Sequence, residues 1–170
     1  MKSLIFIAGL ILMSFTFAFA KPANYSGTWT LDFKQSKNLP PFYANVKSHK
    51  LSITQNEKTL NVAVEVDAGQ GAPDNLSFVY NLDGSETKTE TGIRTPGGMK
   101  SVPTTLKAET AGNGNLKITI TREITMPDGA FKGVTIENWE LSADGKTLTI
   151  HRTDEMPRGK MEADMVFVKV

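Results

Sequence analysis

Short runs of alternating apolar and polar residues recur along this chain, and each run ends at a turn signal. From Leu60 to Val66 every second residue is aliphatic, and the same holds from Leu116 to Ile120. A period of two residues puts one face of a strand against a core and the other in water. No window shows a helical period of useful length, so the pattern predicts an all-β, antiparallel protein.

Ten such runs can be counted, and most connections between them are short. The predicted strands cover residues 26–33, 48–55, 59–66, 75–82, 85–91, 102–110, 115–124, 131–141, 146–153 and 162–169. Asp83-Gly84, Asp128-Gly129 and Asp144-Gly145 supply the positive φ angles that tight hairpins require. Consecutive strands are therefore expected to be neighbours in a meander. A meander with one wet face removes its exposed edges most simply by closing into an up-and-down barrel of about ten strands.

Two connections are too long for hairpins. Residues 34–47 contain Pro40-Pro41 and the aromatic pair Phe42-Tyr43, and residues 92–100 contain Pro96-Gly97-Gly98. Long loops in compact domains often carry function. The aromatic pair is therefore interpreted in two ways, as a lid with a short helical turn or as an ordinary plug for one barrel end.

The first twenty residues have the features of a secretion signal. Lys2 precedes an apolar run from Leu4 to Phe19 that ends in Ala18-Phe19-Ala20. A positive start, a short apolar core and small residues before the cut predict a signal peptide over residues 1–20, cleaved after Ala20. The run is shorter than a membrane-spanning helix, so we expect a soluble mature chain without stable membrane insertion. A short leader with one Lys is typical of bacteria, which predicts a periplasmic or secreted location.

Removal of residues 1–20 leaves one domain over residues 21–170, which is long enough for one substantial core. The chain has 19 Lys and Arg against 18 Asp and Glu, and Lys2 leaves with the signal. The resulting neutral balance gives no electrostatic basis for binding nucleic acid or an anionic membrane. The sequence has no Cys, which excludes disulfides and Cys-based zinc, iron–sulfur and thiol chemistry.

The mature domain opens with Ser26-Gly27-Thr28-Trp29, followed by Leu31 and Phe33. In this Gly-x-Trp opening the chain resembles the calycin superfamily of lipocalins, fatty-acid-binding proteins and avidin-like barrels. Ten strands with a longer connection after the first are most similar to the fatty-acid-binding subgroup, and residues 139–149 are similar to a hairpin of secreted bacterial lipocalin-like domains. The lipocalin disulfide and second motif are missing. The resemblance implies a barrel whose last strand pairs with its first.

Arg122 and Arg152 share the apolar parity of their strands, so regular strands aim both guanidinium groups into the barrel. A buried Arg needs an anion or hydrogen-bonding partners, because desolvation of its charge is costly. A ligand carboxylate is one such anion; the fatty-acid-binding resemblance implies this use, although its Arg-x-Tyr motif does not align here. The structural alternatives are Arg152 stacked on Trp29, as in lipocalins, and Arg122 paired with Glu137.

A set of aromatic residues would line the interior of a hollow barrel. The set comprises Trp29, Phe33, Phe78, Tyr80, Trp139 and Phe167. The main functional prediction is a binding protein for a small apolar or amphipathic molecule. Its candidate ligand-binding residues are Arg122, Arg152, Tyr80, Phe78 and Trp139.

The alternative function is a filled barrel that binds a protein partner through its loops, as bacterial calycin-type protease inhibitors do. The polar fifth strand, residues 85–91, favours this alternative because it offers little apolar lining. Met156, Met161 and Met165 fit either an adaptable pocket or core packing.

The sequence shows no signature of an enzyme, a metal site or a cofactor site. It has no Gly-x-Ser-x-Gly elbow, phosphate-binding Gly loop or dinucleotide fingerprint. His49 and His151 stand in no metal-binding motif, and a solvated or hydrogen-bonded state is expected for both. Asp154 and Glu155 are adjacent, so a strand points them to opposite faces and they do not pair as catalytic carboxylates. We therefore predict no enzyme, no metal and no cofactor.

Overall fold

The alternating pattern folds into ten strands, as the sequence predicts. The computed structural model describes residues 23–69, 73–95, 98–126, 129–157 and 159–170, so the predicted signal peptide lies outside it. The strands are β1 (Gly27–Leu31), β2 (Ser48–Gln55), β3 (Thr59–Asp67), β4 (Asp74–Asn81), β5 (Thr87–Thr95), β6 (Gly98–Thr110), β7 (Leu116–Met126), β8 (Gly129–Leu141), β9 (Thr147–Met156) and β10 (Gly159–Lys169). All are antiparallel to their neighbours.

The strands form one sheet in the order β4-β3-β2-β1-β10-β9-β8-β7-β6-β5. The last strand pairs with the first, with Trp29 opposite Lys169, as the calycin resemblance implies. The expected meander fails at one pair, because no hydrogen-bonded ladder joins β4 to β5 within the described residues. The side chain of Asn81 spans this gap by donating to the hydroxyls of Ser85 at 3.0 Å and Thr87 at 3.2 Å. The barrel is therefore nearly closed.

The prediction of a second long loop over residues 92–100 is wrong. Strand β5 continues to Thr95 and β6 starts at Gly98, so a long hairpin replaces the loop. The β7–β8 and β9–β10 hairpins extend in the same way and start again at Gly129 and Gly159. Each of these glycines has a positive φ, and each is the last residue of a Pro-x-Gly sequence. Pro followed closely by Gly is a tight-turn signal in a sequence, and only residues 96 and 97 separate β5 from β6.

The end of the barrel near the start of β1 is closed by two aromatic residues with no exposed surface, Tyr25 and Trp29. The Trp29 indole donates to the Tyr25 carbonyl at 2.9 Å, and the Tyr25 hydroxyl donates to the Trp139 carbonyl at 3.1 Å. Lys169 Nζ lies 5.0 Å from the centre of the Trp29 ring. The predicted stack of Arg152 on Trp29 is therefore wrong, because the β1–β10 pairing places Lys169 there.

The opposite end, which we call the upper end, carries the β1–β2 connection and the tips of the β5–β6, β7–β8 and β9–β10 hairpins. The connection contains a 3-10 helix, Pro41–Asn45, in which the amide of Tyr43 donates to the carbonyl of Pro40 at 2.9 Å. The short helical turn expected in this connection is therefore present. Within the described ranges, no helix has the length and hydropathy needed to cross a membrane.

Candidate functional site

A cavity of about 200 Å³ lies inside the barrel, beneath the helix Pro41–Asn45. Its apolar wall includes Leu51, Val62, Phe78, Ile120, Ile150 and Phe167. All five candidate residues from the sequence, Arg122, Arg152, Tyr80, Phe78 and Trp139, also line it. The parity of the strands thus identified side chains that meet at one place, although they come from β4, β7, β8 and β9.

The polar fifth strand contributes none of the described residues that line this cavity. The hydroxyls of Thr91 on β5 and Thr104 on β6 are instead buried and bond to each other at 2.7 Å. The barrel is therefore filled on the side of β5 and β6, and the cavity lies between β2–β4 and β7–β10.

Arg152 is held by two carboxylates of the protein itself. Its Nε and Nη2 donate to the two oxygens of Asp154 at 2.7 and 2.9 Å, and its Nη1 donates to Glu137 Oε1 at 3.1 Å. The other Glu137 oxygen accepts the Trp139 indole N–H at 2.9 Å. Burial alone would lower the pKa of Arg152, but the attraction of Glu137 and the bonds to Asp154 outweigh burial and raise that pKa. Arg152 is a paired structural charge.

Arg122 is much less well paired. Its Nη1 donates to the Thr135 hydroxyl at 3.3 Å, and that hydroxyl donates to Asp154 Oδ1 at 2.6 Å. The predicted pair of Arg122 with Glu137 is wrong, because Glu137 stands opposite Arg152 across β8 and β9, whereas Arg122 stands opposite Gly133. Burial, followed by repulsion from Arg152, lowers the pKa of Arg122.

The Nε atom of Arg122 is buried and has no hydrogen-bond partner in the described part of the chain. Buried polar groups in folded proteins are normally hydrogen-bonded. The unmet donor of Arg122 therefore marks a polar point on the cavity wall.

His49 is a second polar point that sequence reasoning did not select. It is 7% exposed, lines the cavity, and its Nε2 has no partner among the described residues. Its Nδ1 lies 2.9 Å from the Tyr43 hydroxyl. A phenol O–H is a stronger donor than an imidazole N–H, so we assign the hydroxyl as the donor to Nδ1, which places the hydrogen of the neutral ring on Nε2. Burial, with a smaller contribution from Arg152, lowers the pKa of His49 to about 4.

The aromatic pair of the 3-10 helix covers the cavity. Tyr43 stacks on His49 with ring centres 5.9 Å apart, and Phe42 and Tyr43 both line the cavity. The His49 ring in turn packs edge-on against Phe167, with ring centres 5.2 Å apart. The helix is therefore fixed over the upper mouth of the cavity through His49, in the position of the predicted lid.

The remaining candidates divide between the inside and the outside of the barrel. Met165 lines the cavity, whereas Met156 and Met161 are exposed at the upper end.

Asp154 takes part in the inner network and Glu155 is exposed, so the two carboxylates do point to opposite faces. His151 is exposed on the outer face, with Nδ1 2.7 Å from Asp164. Across the described residues, no group of three His, Cys, Asp or Glu side chains is arranged to hold a metal ion.

No protein-family model and no curated protein sequence matches this chain. Among solved structures, it is similar to the zebrafish ileal bile acid-binding protein, crystallised with cholic acid. The TM-score is 0.50, with 16% sequence identity over 86% of this chain and 98% of that one. A likeness at this identity concerns architecture and not ligand. The chain therefore has the fold of the calycin barrels.

Proposed function

We propose that this protein binds a small apolar or amphipathic molecule inside its barrel. The observation that carries the proposal is an apolar cavity whose wall holds two buried nitrogens, Arg122 Nε and His49 Nε2, that find no partner among the described residues. Small-molecule sites are typically concave and apolar, with a few convergent polar groups. The similar barrel from zebrafish was crystallised with cholic acid, which supports the general class of function.

A binding role is favoured over catalysis by the state of the inner carboxylates. Glu137 and Asp154 are both bonded to Arg152, so neither is free to act as a general base.

We further propose that the protein is exported to the periplasm or the exterior. The features that support export are the apolar run from Leu4 to Phe19 and the small residues Ala18 and Ala20.

The test is native mass spectrometry of protein purified without detergent or organic solvent. A small-molecule adduct that disappears on denaturation supports the proposal. Val62→Phe fills the cavity wall, and Val79→Phe adds the same bulk at an exposed position. The adduct should be lost in the first variant and kept in the second. Absence of an adduct and of any uptake of added apolar compounds by the unmodified protein would contradict the proposal.

A second candidate function is the binding of a protein partner at the upper end. Exposed apolar side chains gather there, namely Phe42, Met99, Met156 and Met161. Clustered exposed hydrophobic residues mark interaction surfaces in soluble proteins. Co-purification of a protein that is lost on Phe42→Ser and Met156→Ser, with no small-molecule adduct, would favour this candidate.

A further inference from the structure

Charge balance limits what the cavity can accept. Within the described residues, the ionised side chains on or directly behind its wall are Arg122, Arg152, Glu137 and Asp154. Arg152 and its two carboxylates carry one net negative charge. Arg122 supplies the missing positive charge through the Thr135 hydroxyl, which bonds to both Arg122 and Asp154. The four side chains are therefore neutral in sum.

A carboxylate ligand would disturb this balance. It would add a third anion to a buried group that contains only two cations. Unbalanced charge is costly in a low-dielectric interior, and a like charge close to Glu137 and Asp154 opposes binding directly. A neutral ligand leaves the balance as it is.

The hydrogen-bond donors without partners on the cavity wall favour a ligand that carries a hydrogen-bond acceptor. Arg122 Nε–H is a donor at any accessible pH, and the bond from Tyr43 to His49 Nδ1 leaves Nε2 of His49 as a donor as well. Tyr80 lies on the same wall. A buried donor without a partner retains its desolvation penalty. A carbonyl oxygen on the ligand would replace the hydrogen bond that each donor lost when it was removed from water.

The volume sets the size of the ligand. A protein cavity of about 150 Å³ takes up benzene. At about 200 Å³, this cavity holds an aromatic ring with a short polar substituent. A long-chain fatty acid or a four-ring bile acid exceeds it.

We propose that the ligand is compact and uncharged, and that it presents a carbonyl-type hydrogen-bond acceptor to Arg122 and His49. The inference rests on the proposed function, because it names the ligand class of the same cavity. It separates this protein from a carrier of anionic lipids, in which an inner Arg would hold a carboxylate.

Three nearly isosteric probes test the proposal by NMR titration at neutral pH: acetophenone, benzoate and ethylbenzene. Hexadecanoate serves as the probe of size. Acetophenone should bind about tenfold or more tighter than benzoate and ethylbenzene, which corresponds to one net hydrogen bond. Hexadecanoate should not bind.

Two variants test the donors and the charge balance separately. His49→Phe keeps the ring that packs on Tyr43 and removes the donor, so the preference for acetophenone over ethylbenzene should fall about tenfold. His151→Phe changes the outer face and should leave that preference intact. Glu137→Gln removes one inner anion, so it should strengthen benzoate binding relative to acetophenone binding, and an unchanged ratio of the two affinities would overturn the role of charge balance.

The outcomes distinguish this inference from the proposed function. If benzoate or hexadecanoate binds the unmodified protein most tightly, the ligand class is wrong while the binding function stands. Equal affinities for acetophenone and ethylbenzene would overturn the role of the donors. If no probe binds and the purified protein carries no adduct, the proposed function itself fails.

Discussion

Arg152 and Glu137 stand directly opposite each other on β9 and β8, with Nη1 3.1 Å from Oε1. Glu137 is 8% exposed, and its second oxygen bonds to the Trp139 indole. The guanidinium also holds Asp154, so one cation supports two carboxylates inside the barrel. This arrangement assigns Arg152 to the structure and leaves Arg122 as the guanidinium with unmet bonds.

Arg152→Met should therefore be destabilising. Removal of one partner from a fully buried ion pair costs about 3–5 kcal/mol; the Arg152 side chain is 31% exposed, so we expect a smaller loss than that, but a clearly larger one than for an exposed pair. The matched control is Lys50→Met, which breaks an exposed pair with Glu65 and should cost at most about 1 kcal/mol. Urea denaturation measures both free energies of unfolding. Equal losses in the two variants would show that the inner network does not stabilise the fold.

Trp29→Ala should open the closed end of the barrel. A large, fully buried side chain is lost, and truncations of this kind cost about 3–5 kcal/mol. Trp29→Phe keeps part of the packing but loses the bond to the Tyr25 carbonyl, so we expect a smaller loss of stability than for Trp29→Ala. The same denaturation assay compares the two variants. A loss well below 1 kcal/mol for Trp29→Ala would contradict the buried position of the ring.

His49 should make the fold sensitive to acid. Its pKa lies near 4 in the folded protein, against an ordinary value of 6.5. The unfolded chain therefore binds a proton at higher pH than the folded one, and stability falls as the pH drops from about 6.5 towards 4. Above that window the contribution of His49 is fully present.

NMR titration of the His49 ring protons checks this directly and should give a midpoint near 4. In His49→Phe the loss of stability between pH 6.5 and 4 should be smaller than in the unmodified protein. A midpoint for His49 near 6.5 would mean that its ring is solvated in the folded protein.

If the protein is exported, its signal peptide should be cleaved at one defined position. The exported protein should begin at Lys21, as read by N-terminal sequencing. Ala18→Leu combined with Ala20→Leu removes both small residues before the cut and should cause the precursor to accumulate. Retention of Met1 on the unmodified protein in a membrane fraction would refute the signal peptide.

The strands and the inward direction of Arg122 and Arg152 could be predicted from period-two alternation alone, because parity is a local property. The partner of each Arg could not be obtained from parity, since it depends on the register between strands. The hairpin at Asp144-Gly145 is tight, and a tight hairpin fixes the register between its two strands. This register, applied to the sequence, would have placed Arg152 opposite Glu137. Tyr43 and His49 meet only because the β1–β2 connection folds back over the barrel, and no local pattern predicts that contact.

The three Pro-x-Gly hairpin tips were a signal that could have been interpreted correctly. The gap between the predicted strands 85–91 and 102–110 is too long for a hairpin and implies a loop around Pro96-Gly97-Gly98, yet Pro127-Asp128-Gly129 and Pro157-Arg158-Gly159 have the same pattern. The repetition itself indicates three equivalent turns at one end of a meander.

A small molecule bound inside the barrel would lie beside one of the two Trp residues of the chain and not beside the other, which allows a direct test. Trp139 lines the cavity, whereas Trp29 lies at the closed end and does not line it. On titration with acetophenone, the indole N–H resonance of Trp139 should shift and saturate, while that of Trp29 stays in place. Both resonances remaining fixed, or both moving linearly without saturation, would contradict an internal binding site.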